Sequence, residues 1–286
     1  NAQVLYTSSE NFTSEFMNSL RSKQTARFKR RYRRECNVLV LEDIQFLEGK
    51  AATQLELFHT IQHLLDSNIT MVLDECTPYP ATHEEADKSM QLSMRWAERS
   101  KDAFKKRPGY GLFGIVQGGL FPDLRERSAG QITSLGFSGY AIGGLSVGET
   151  KSDMYAFTEL VARLLPVDSP RYLMGVGSPE DLVECVARGI DMFDCVVPTR
   201  NARNGTVFTR EGRLNIRGAR FKDDLALLDE TCPLISRYSR AYVRHLLHSG
   251  EVLGLRLATL CSVHYFLELM RNMRQAIIDQ TFGEWL

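Results

Sequence analysis

A carboxylate and two arginines stand close together near residue 200. Asp194 lies inside the apolar run 192–197, which predicts a short strand covered on both faces. A carboxylate in such a run is costly unless it has a partner or a chemical role. Arg200 and Arg203 follow at loop spacing, and arginine suits a phosphate or a planar base edge. Two interpretations stay open, a salt bridge from Asp194 to a loop arginine or a functional carboxylate.

A second acidic strand end occurs earlier in the chain. The apolar run 38–41 ends in Glu42 and Asp43, which is the form of a Walker B segment that holds a metal. Its usual partner, a G-x-x-x-x-G-K-[ST] phosphate loop, does not occur in the sequence. We therefore expect no hydrolysis of nucleoside triphosphates and no nucleotide cofactor.

The overall charge gives no sign of a polyanionic partner, because Lys+Arg and Asp+Glu both number 35. Nucleic-acid contact must therefore come from local patches. The basic run 27–34 is one, although its Phe28 and Tyr32 at i, i+4 favour a helix that packs both rings inward. The six cysteines show no disulfide spacing, and no apolar run approaches bilayer length. These features predict a cytoplasmic protein with no membrane partner.

From residue 69 onward, apolar strands alternate with amphipathic helices. Five such strands are predicted, and each ends in Gly, Asp, Gln or Met. Repeated βα units of this kind predict an α/β fold with a parallel sheet. An open doubly wound sheet and a barrel both fit the pattern. Strand ends of different chemistry that converge on one site favour a (β/α)8 TIM-type barrel, whose site lies at the carboxyl ends of its strands.

The first part of the chain resembles the AAA+ core of the bacterial chromosomal replication initiator (DnaA type). The resemblance is carried by residues 6–19, 28–33 and 41–60. That family usually has Asp-Asp where this chain has Glu42-Asp43, and its phosphate loop, sensor arginines and DNA-binding domain are missing here. The resemblance implies that residues 1–66 are an AAA+-like βαβα fragment and not a working initiator.

Residues 67–286 resemble tRNA-guanine transglycosylase. Five motifs occur in the family's order, at 74–80 (DECTPYP), 114–119, 141–149, 172–177 and 193–205 (FDCVVPTRNARNG). The resemblance implies an irregular (β/α)8 barrel with a zinc-binding insert, of which this chain has about five strands and a C-terminal helical region like the insert. It implies that wobble guanine in tRNA is exchanged for a 7-deazaguanine, preQ1 or queuine, in queuosine synthesis. The implied partners are tRNA, the free base and a second copy in a homodimer.

The resemblance also implies roles for single residues. Asp194 matches the nucleophile that attacks the ribose C1′ and forms a covalent aspartyl-ribose intermediate, as in retaining glycosidases. Asp74 matches the acceptor of N–H groups on the Watson–Crick edge of guanine, and Gln117 and the Gly144 N–H match the groups that read its O6. The remaining matches are pocket lining by Cys76 and Leu145, stacking on the flipped base by Met174, and tRNA contact by Arg200 and Arg203.

Two departures from the family pattern bear on these expectations. The family binds zinc through C-x-C-x-x-C and a distant histidine. Here only Cys232 of the three cysteines remains, Glu230 and Ile235 take the other two places, and Cys261 falls at the histidine. We therefore expect zinc to be absent.

The second departure is that the N-terminal third of the family, with a further acid/base aspartate, is replaced by the AAA+-like segment. Either that segment partly completes the barrel, or the chain is a chimera that cannot close one. The corresponding functions are a transglycosylase, and an inert chimera whose first segment binds DNA or an initiator partner.

Overall fold

The computed structural model describes residues 4–33, 35, 38–42, 53, 56–57, 60, 68–106 and 108–285. Its Cα positions divide the chain into two compact units. The first consists of Asn1–Glu149 with Arg163–Arg171, and the second of Thr150–Ala162 with Tyr172–Leu286. Neither boundary falls at residues 66 and 67, so the division at that point remains a prediction.

The first unit begins with two parallel strands and two helices. The elements are β1 (Val4–Ser8), α1 (Ser9–Arg21), α2 (Thr25–Arg33) and β2 (Val38–Glu42). β1 pairs with β2 from Val4 opposite Val38 to Ser8 opposite Glu42. Phe28 and Tyr32 of α2 are buried with Phe12 and Phe16, which confirms the predicted inward face. Asp43 and the predicted join at 61–66 lie outside the described residues.

Three further strands of the first unit alternate with helices. They are β3 (Ile69–Met71), α3 (His83–Ala103), β4 (Gly111–Val116), α4 (Pro122–Leu135) and β5 (Gly139–Ile142). α3 starts with a capping box in which Thr82 and Glu85 exchange side-chain and backbone hydrogen bonds. α4 starts at a proline, whose missing N–H costs nothing in a first helical turn.

The pattern continues with α5 (Lys151–Leu164), β6 (Arg171–Leu173), α6 (Pro179–Ala187) and β7 (Met192–Phe193). The sheet has the strand order β3-β4-β5-β6-β7, and the registered pairs are parallel. A doubly wound sheet reverses its strand order at a switch point, whereas a barrel keeps the chain order. The α/β prediction is confirmed, and five strands in chain order fit part of a TIM-type barrel.

The predicted buried strand at 192–197 is wrong in its extent. β7 ends at Phe193, the Val196 side chain is 61% exposed, and α7 (Val197–Arg203) begins directly after it. Pro198 explains the difference, because proline fits the first turn of a helix and donates no hydrogen bond to a sheet. Asp194 is therefore exposed at a strand end and is not enclosed within a strand.

The rest of the second unit is a hairpin with helices. Its elements are β8 (Thr206–Thr209), β9 (Gly212–Asn215), a 3₁₀ turn (Ala219–Phe221), α8 (Arg240–His248), α9 (Val252–Ile278) and α10 (Phe282–Trp285). By length and composition, α9 is long and apolar enough to cross a bilayer, which corrects the expectation that no segment approaches that length. Its Leu257, Ala258 and Cys261 are buried in the apolar core of this unit.

Candidate functional site

In the first unit, Asp74 and Gln117 meet at neighbouring strand ends. Asp74 follows β3, and Gln117 directly follows β4 with its side chain fully buried. Gln117 Nε2 donates to Asp74 Oδ2 over 2.6 Å, and the Gln117 backbone N–H donates to Ser128 Oγ on α4 over 3.1 Å. Gln117 Oε1 is buried without a hydrogen-bond partner among the described residues. A buried acceptor in this state leaves an unused bond for a ligand N–H group.

Burial sets the electrostatics of this corner. Burial raises the pKa of Asp74, and the hydrogen bond from Gln117 only partly opposes the shift. Desolvation and the Asp74 carboxylate raise the pKa of the Cys76 thiol, while Arg125 and a hydrogen bond from the Gly144 backbone lower it. The Gly144 N–H therefore points towards the Cys76 thiol. A ligand that brings two N–H donors would compensate the poorly solvated Asp74 carboxylate.

Gly143 and Gly144 bring the backbone after β5 against Gln117. A Cβ at Gly143 would lie 2.5 Å from Gln117 Nε2, and one at Gly144 would lie 2.4 Å from Gln117 Oε1. Gly144 also has a φ of +65°, which side chains rarely adopt. Leu145 follows and is buried. A cavity of about 160 Å³ opens beside Gly144, with Thr77, Tyr79, Gly119 and Val147 also in its lining.

Arg125 on α4 holds the backbone of this corner through hydrogen bonds and was not among the predicted site residues. Its side chain is fully buried, and burial lowers its pKa to about 10, opposed by the acidic groups of Cys76 and Glu149. It stays protonated at neutral pH, although none of its hydrogen-bond partners among the described residues is a carboxylate. An arginine beside Leu124, Ser128 and Ile132, on the face that α4 buries, is the signal that identifies it in the sequence.

In the second unit, Asp194 is held by two donors from the end of β6. Its Oδ1 accepts hydrogen bonds from the Tyr172 hydroxyl over 2.5 Å and from the Gly175 N–H over 2.9 Å. No hydrogen bond within the described part of the chain reaches Oδ2. Desolvation, and then the hydrogen bond to Asp194, raise the pKa of Tyr172. The Asp194 carboxylate is thus held through one of its two oxygens.

Of the two interpretations of Asp194, the salt bridge to a loop arginine is not seen among the residues that the structure describes. Arg200 and Arg203 lie on α7, one helical turn apart, and both are exposed. The interval that was expected to be a loop is therefore a short helix. Met174 follows β6 and is half-buried.

The predicted site residues thus fall into two sets. Those of the first unit are Asp74, Cys76, Gln117, Gly144 and Leu145, and those of the second are Met174, Asp194, Arg200 and Arg203. Hydrogen bonds and close contacts link Asp74, Gln117 and Gly144 within the first set. In the second set, Tyr172, which was not assigned a role, donates a hydrogen bond to Asp194.

The residues at the predicted zinc positions do not fit a metal ion. Cys232, Ile235 and Cys261 are buried together in one apolar core, while Glu230 is exposed. Burial raises the pKa of the Cys261 thiol, and a zinc ligand must be deprotonated. Among the residues that the structure describes, no group of three or more His, Cys, Asp or Glu side chains is placed to hold a metal. Cys232 is therefore a core residue here.

The family model and the similar proteins found by comparison all point to the same family. The family model described as TGT, queuine tRNA-ribosyltransferase, matches residues 22–286. The chain is 56% identical over 229 residues to the queuine tRNA-ribosyltransferase of Shewanella frigidimarina (strain NCIMB 400), an alignment that covers 79% of this chain and 61% of that protein. It is 55% identical over 225 residues to the protein of that name from Psychromonas ingrahamii, with coverages of 78% and 60%. The chain spans about three-fifths of the length of the curated relatives that it matches.

Proposed function

The chain belongs to the queuine tRNA-ribosyltransferase family, and on this premise we propose that it exchanges guanine at the wobble position of tRNA for a 7-deazaguanine. The observation that carries the proposal is the Asp194 carboxylate, with Oδ1 anchored by Tyr172 and Gly175 and Oδ2 available to react. A carboxylate in this state suits attack on a sugar carbon.

The proposed reaction is a double displacement at the ribose C1′. Asp194 Oδ2 forms a bond to C1′ while the bond from C1′ to N9 of guanine breaks, and its electron pair leaves with the base, which takes up a proton. The incoming base then loses a proton and displaces the carboxylate from the opposite face. Two inversions keep the configuration, as in retaining glycosidases. Neither step needs a nucleotide cofactor or a metal.

Base recognition is proposed for the corner around Asp74. The two oxygens of its carboxylate accept the N1–H and N2–H of guanine, a pair of donors that adenine does not present on this edge. The Gly144 N–H and the Gln117 amide donate to O6, so Gln117 Nε2 exchanges its bond to Asp74 for one to the base. Cys76 and Leu145 line the pocket. These groups distinguish guanine from adenine through paired hydrogen bonds.

Contacts with tRNA are proposed for the second unit. Arg200 and Arg203 are exposed one turn apart on α7 and present two cations to an anticodon loop. Met174, half-buried after β6, stacks on the extruded base. A cytoplasmic location and a homodimer are part of the same proposal, because they follow from the family resemblance.

The AAA+ resemblance of residues 1–66 also remains a proposal. Parallel pairing of β1 and β2 across two helices supports it, although the family-model match already begins at residue 22. DNA binding by the basic helix α2 has less support. Three of its cations, Lys29, Arg30 and Arg31, form ion pairs with glutamates.

The test is incorporation of labelled guanine into unmodified tRNA. The wild-type chain is expected to incorporate label, and Asp194→Asn is expected to lose the activity. The matched control is Asp191→Asn, which makes the same chemical change at an exposed aspartate three residues away. Folded wild-type protein without incorporation, or an Asp194→Asn variant that retains it, would refute the proposed function.

A further inference from the structure

Arg125 is a charged side chain that the proposed reaction does not use directly. It is the largest fully buried side chain among the described residues. Within the described part of the chain, its hydrogen bonds all go to backbone carbonyl groups. Nε donates to Gly119 O (2.8 Å), Nη1 to Val116 O (3.1 Å) and Gly143 O (2.7 Å), and Nη2 to Gly144 O (3.1 Å). One guanidinium therefore joins the end of β4, the loop after it and the end of β5.

Burial of a cation without a carboxylate partner is unfavourable. Hydrogen bonds to the backbone carbonyls offset part of the cost of burying the charge. An apolar side chain of similar size would fill the same space without any such cost. A buried guanidinium with five N–H groups in a fixed planar arrangement is suited to hold several carbonyls at set angles. The arrangement indicates a role beyond packing.

The bond to Gly143 O acts on the neighbouring amide. Gly143 C=O and Gly144 N–H belong to one planar trans peptide, so the two groups point in opposite directions. A cation at the oxygen draws electron density from the nitrogen and strengthens the N–H as a donor. The same N–H points towards Cys76, where a substrate base would lie. The bond to Gly144 O holds the next peptide as well, so both peptides around Gly144 are fixed.

We propose that Arg125 is a positioning residue for base recognition, which polarises the Gly143–Gly144 peptide and aims the Gly144 N–H at the base oxygen. This inference rests on the proposed function, in which that N–H reads O6 of guanine. Arg125 does not touch the substrate in this arrangement and acts through one peptide group.

The experiment compares guanine with 6-thioguanine, whose sulfur is a weaker hydrogen-bond acceptor than oxygen. Wild type, Arg125→Lys, Arg125→Met and the control Arg127→Met are assayed for guanine exchange into unmodified tRNA. Inhibition by 6-thioguanine is measured in parallel. Arg127 lies on the same helix but is exposed and paired with Asp87, so it controls for the loss of an arginine from α4.

Loss of a well-aligned neutral hydrogen bond is expected to raise KM for guanine by about fivefold in Arg125→Lys, with kcat nearly unchanged. The inhibition constant of 6-thioguanine is expected to rise by a smaller factor than KM for guanine. The ratio of the two constants, which measures the preference for oxygen over sulfur, is therefore expected to become smaller. Arg125→Met is expected to show a larger effect, and Arg127→Met none. Should Arg125→Met fail to fold, Arg125→Lys alone decides the question, because it retains the charge and some of the bonds.

A purely structural role predicts that guanine and 6-thioguanine weaken by the same factor, and that result would overturn the inference. An equal change in Arg127→Met would overturn it too. The proposed function is tested separately by the wild type. A wild type without exchange refutes the function, whereas active wild type with an unchanged preference in both Arg125 variants refutes only the inference.

Discussion

Replacing Asp74 by asparagine is expected to stabilise the fold while it removes base recognition. Asparagine keeps the shape of the side chain and an oxygen that can accept the hydrogen bond from Gln117. It removes a carboxylate whose pKa burial has raised. Because the folded-state pKa lies above the unfolded one, ionisation of Asp74 destabilises the folded state at neutral pH. The variant is therefore expected to melt at a higher temperature than wild type at pH 7.

Although Asp74→Asn is expected to stabilise the protein, it is expected to lower the exchange activity. A hydrogen bond from guanine to a charged acceptor is worth about 1.5–3 kcal/mol. Asparagine loses one of the two bonds and keeps the other only as a weaker bond to a neutral oxygen, so the total loss is about 2–4 kcal/mol. That corresponds to a decrease of about 30-fold to 10³-fold in kcat/KM for guanine. In wild type the same carboxylate must be ionised to accept both donors. Activity is therefore expected to fall as the pH is lowered. Because the pKa of Asp74 is raised, this fall is expected to begin at a higher pH than it would for an aspartate with an ordinary pKa.

The assay is thermal unfolding between pH 3 and 8 together with guanine exchange. The stability difference between Asp74→Asn and wild type is expected to disappear at low pH, where Asp74 is protonated in both states. The control is Asp181→Asn. Burial opposes ionisation of Asp181, but hydrogen bonds from Lys151, Tyr155 and Ser178 outweigh it and lower its pKa. That control is expected to destabilise the protein at pH 7 and to approach wild type as the pH falls.

A lower melting temperature for Asp74→Asn at pH 7 would refute the argument that burial of this charge is unfavourable. Exchange activity within tenfold of wild type would refute the assignment of Asp74 to the base. The two outcomes are independent, so each part of the reasoning can fail alone.

Three further outcomes are expected. Tyr172→Phe removes one of the two donors to Asp194 Oδ1, so kcat is expected to fall about tenfold, as for a lost charge-assisted hydrogen bond, with KM for tRNA unchanged in steady-state exchange. Treatment with a chelator is expected to leave the melting temperature unchanged. Ile235→Ala, in the apolar core at a position where the family pattern has a cysteine, is expected to cost about 2–5 kcal/mol in denaturant unfolding. A chelator-induced loss of stability would contradict this. Joint replacement of Arg200 and Arg203 by alanine is expected to weaken tRNA binding and to reduce the salt dependence of log K by about 1.4, or 0.7 per phosphate contact; an unchanged slope would exclude both from the interface.

The division of the chain into βα units was accessible from the sequence. Local patterns determine it, because apolar runs that end in glycine or polar residues form strands, and amphipathic stretches with caps form helices. The five strands and the helix with Phe28 and Tyr32 inward were found in this way. Cys232 was singled out through a family pattern, but the sequence did not reveal its environment, since Ile235 and Cys261 enclose it only when α9 packs on the core of the second unit.

The exposure and hydrogen bonding of the side chains at the strand ends could not be predicted from the sequence, because they depend on contacts between residues that are distant in the chain. The run at 192–197 has the composition of a buried strand, yet Pro198 starts a helix and Asp194 becomes an exposed carboxylate anchored by Tyr172. Residue types along the chain thus determine the alternation of the five strands with helices and identify most of the polar residues at the strand ends. Only tertiary structure decides that Arg125 is buried against four carbonyls and that Asp194 is held through one oxygen, because both depend on hydrogen-bond partners from other elements.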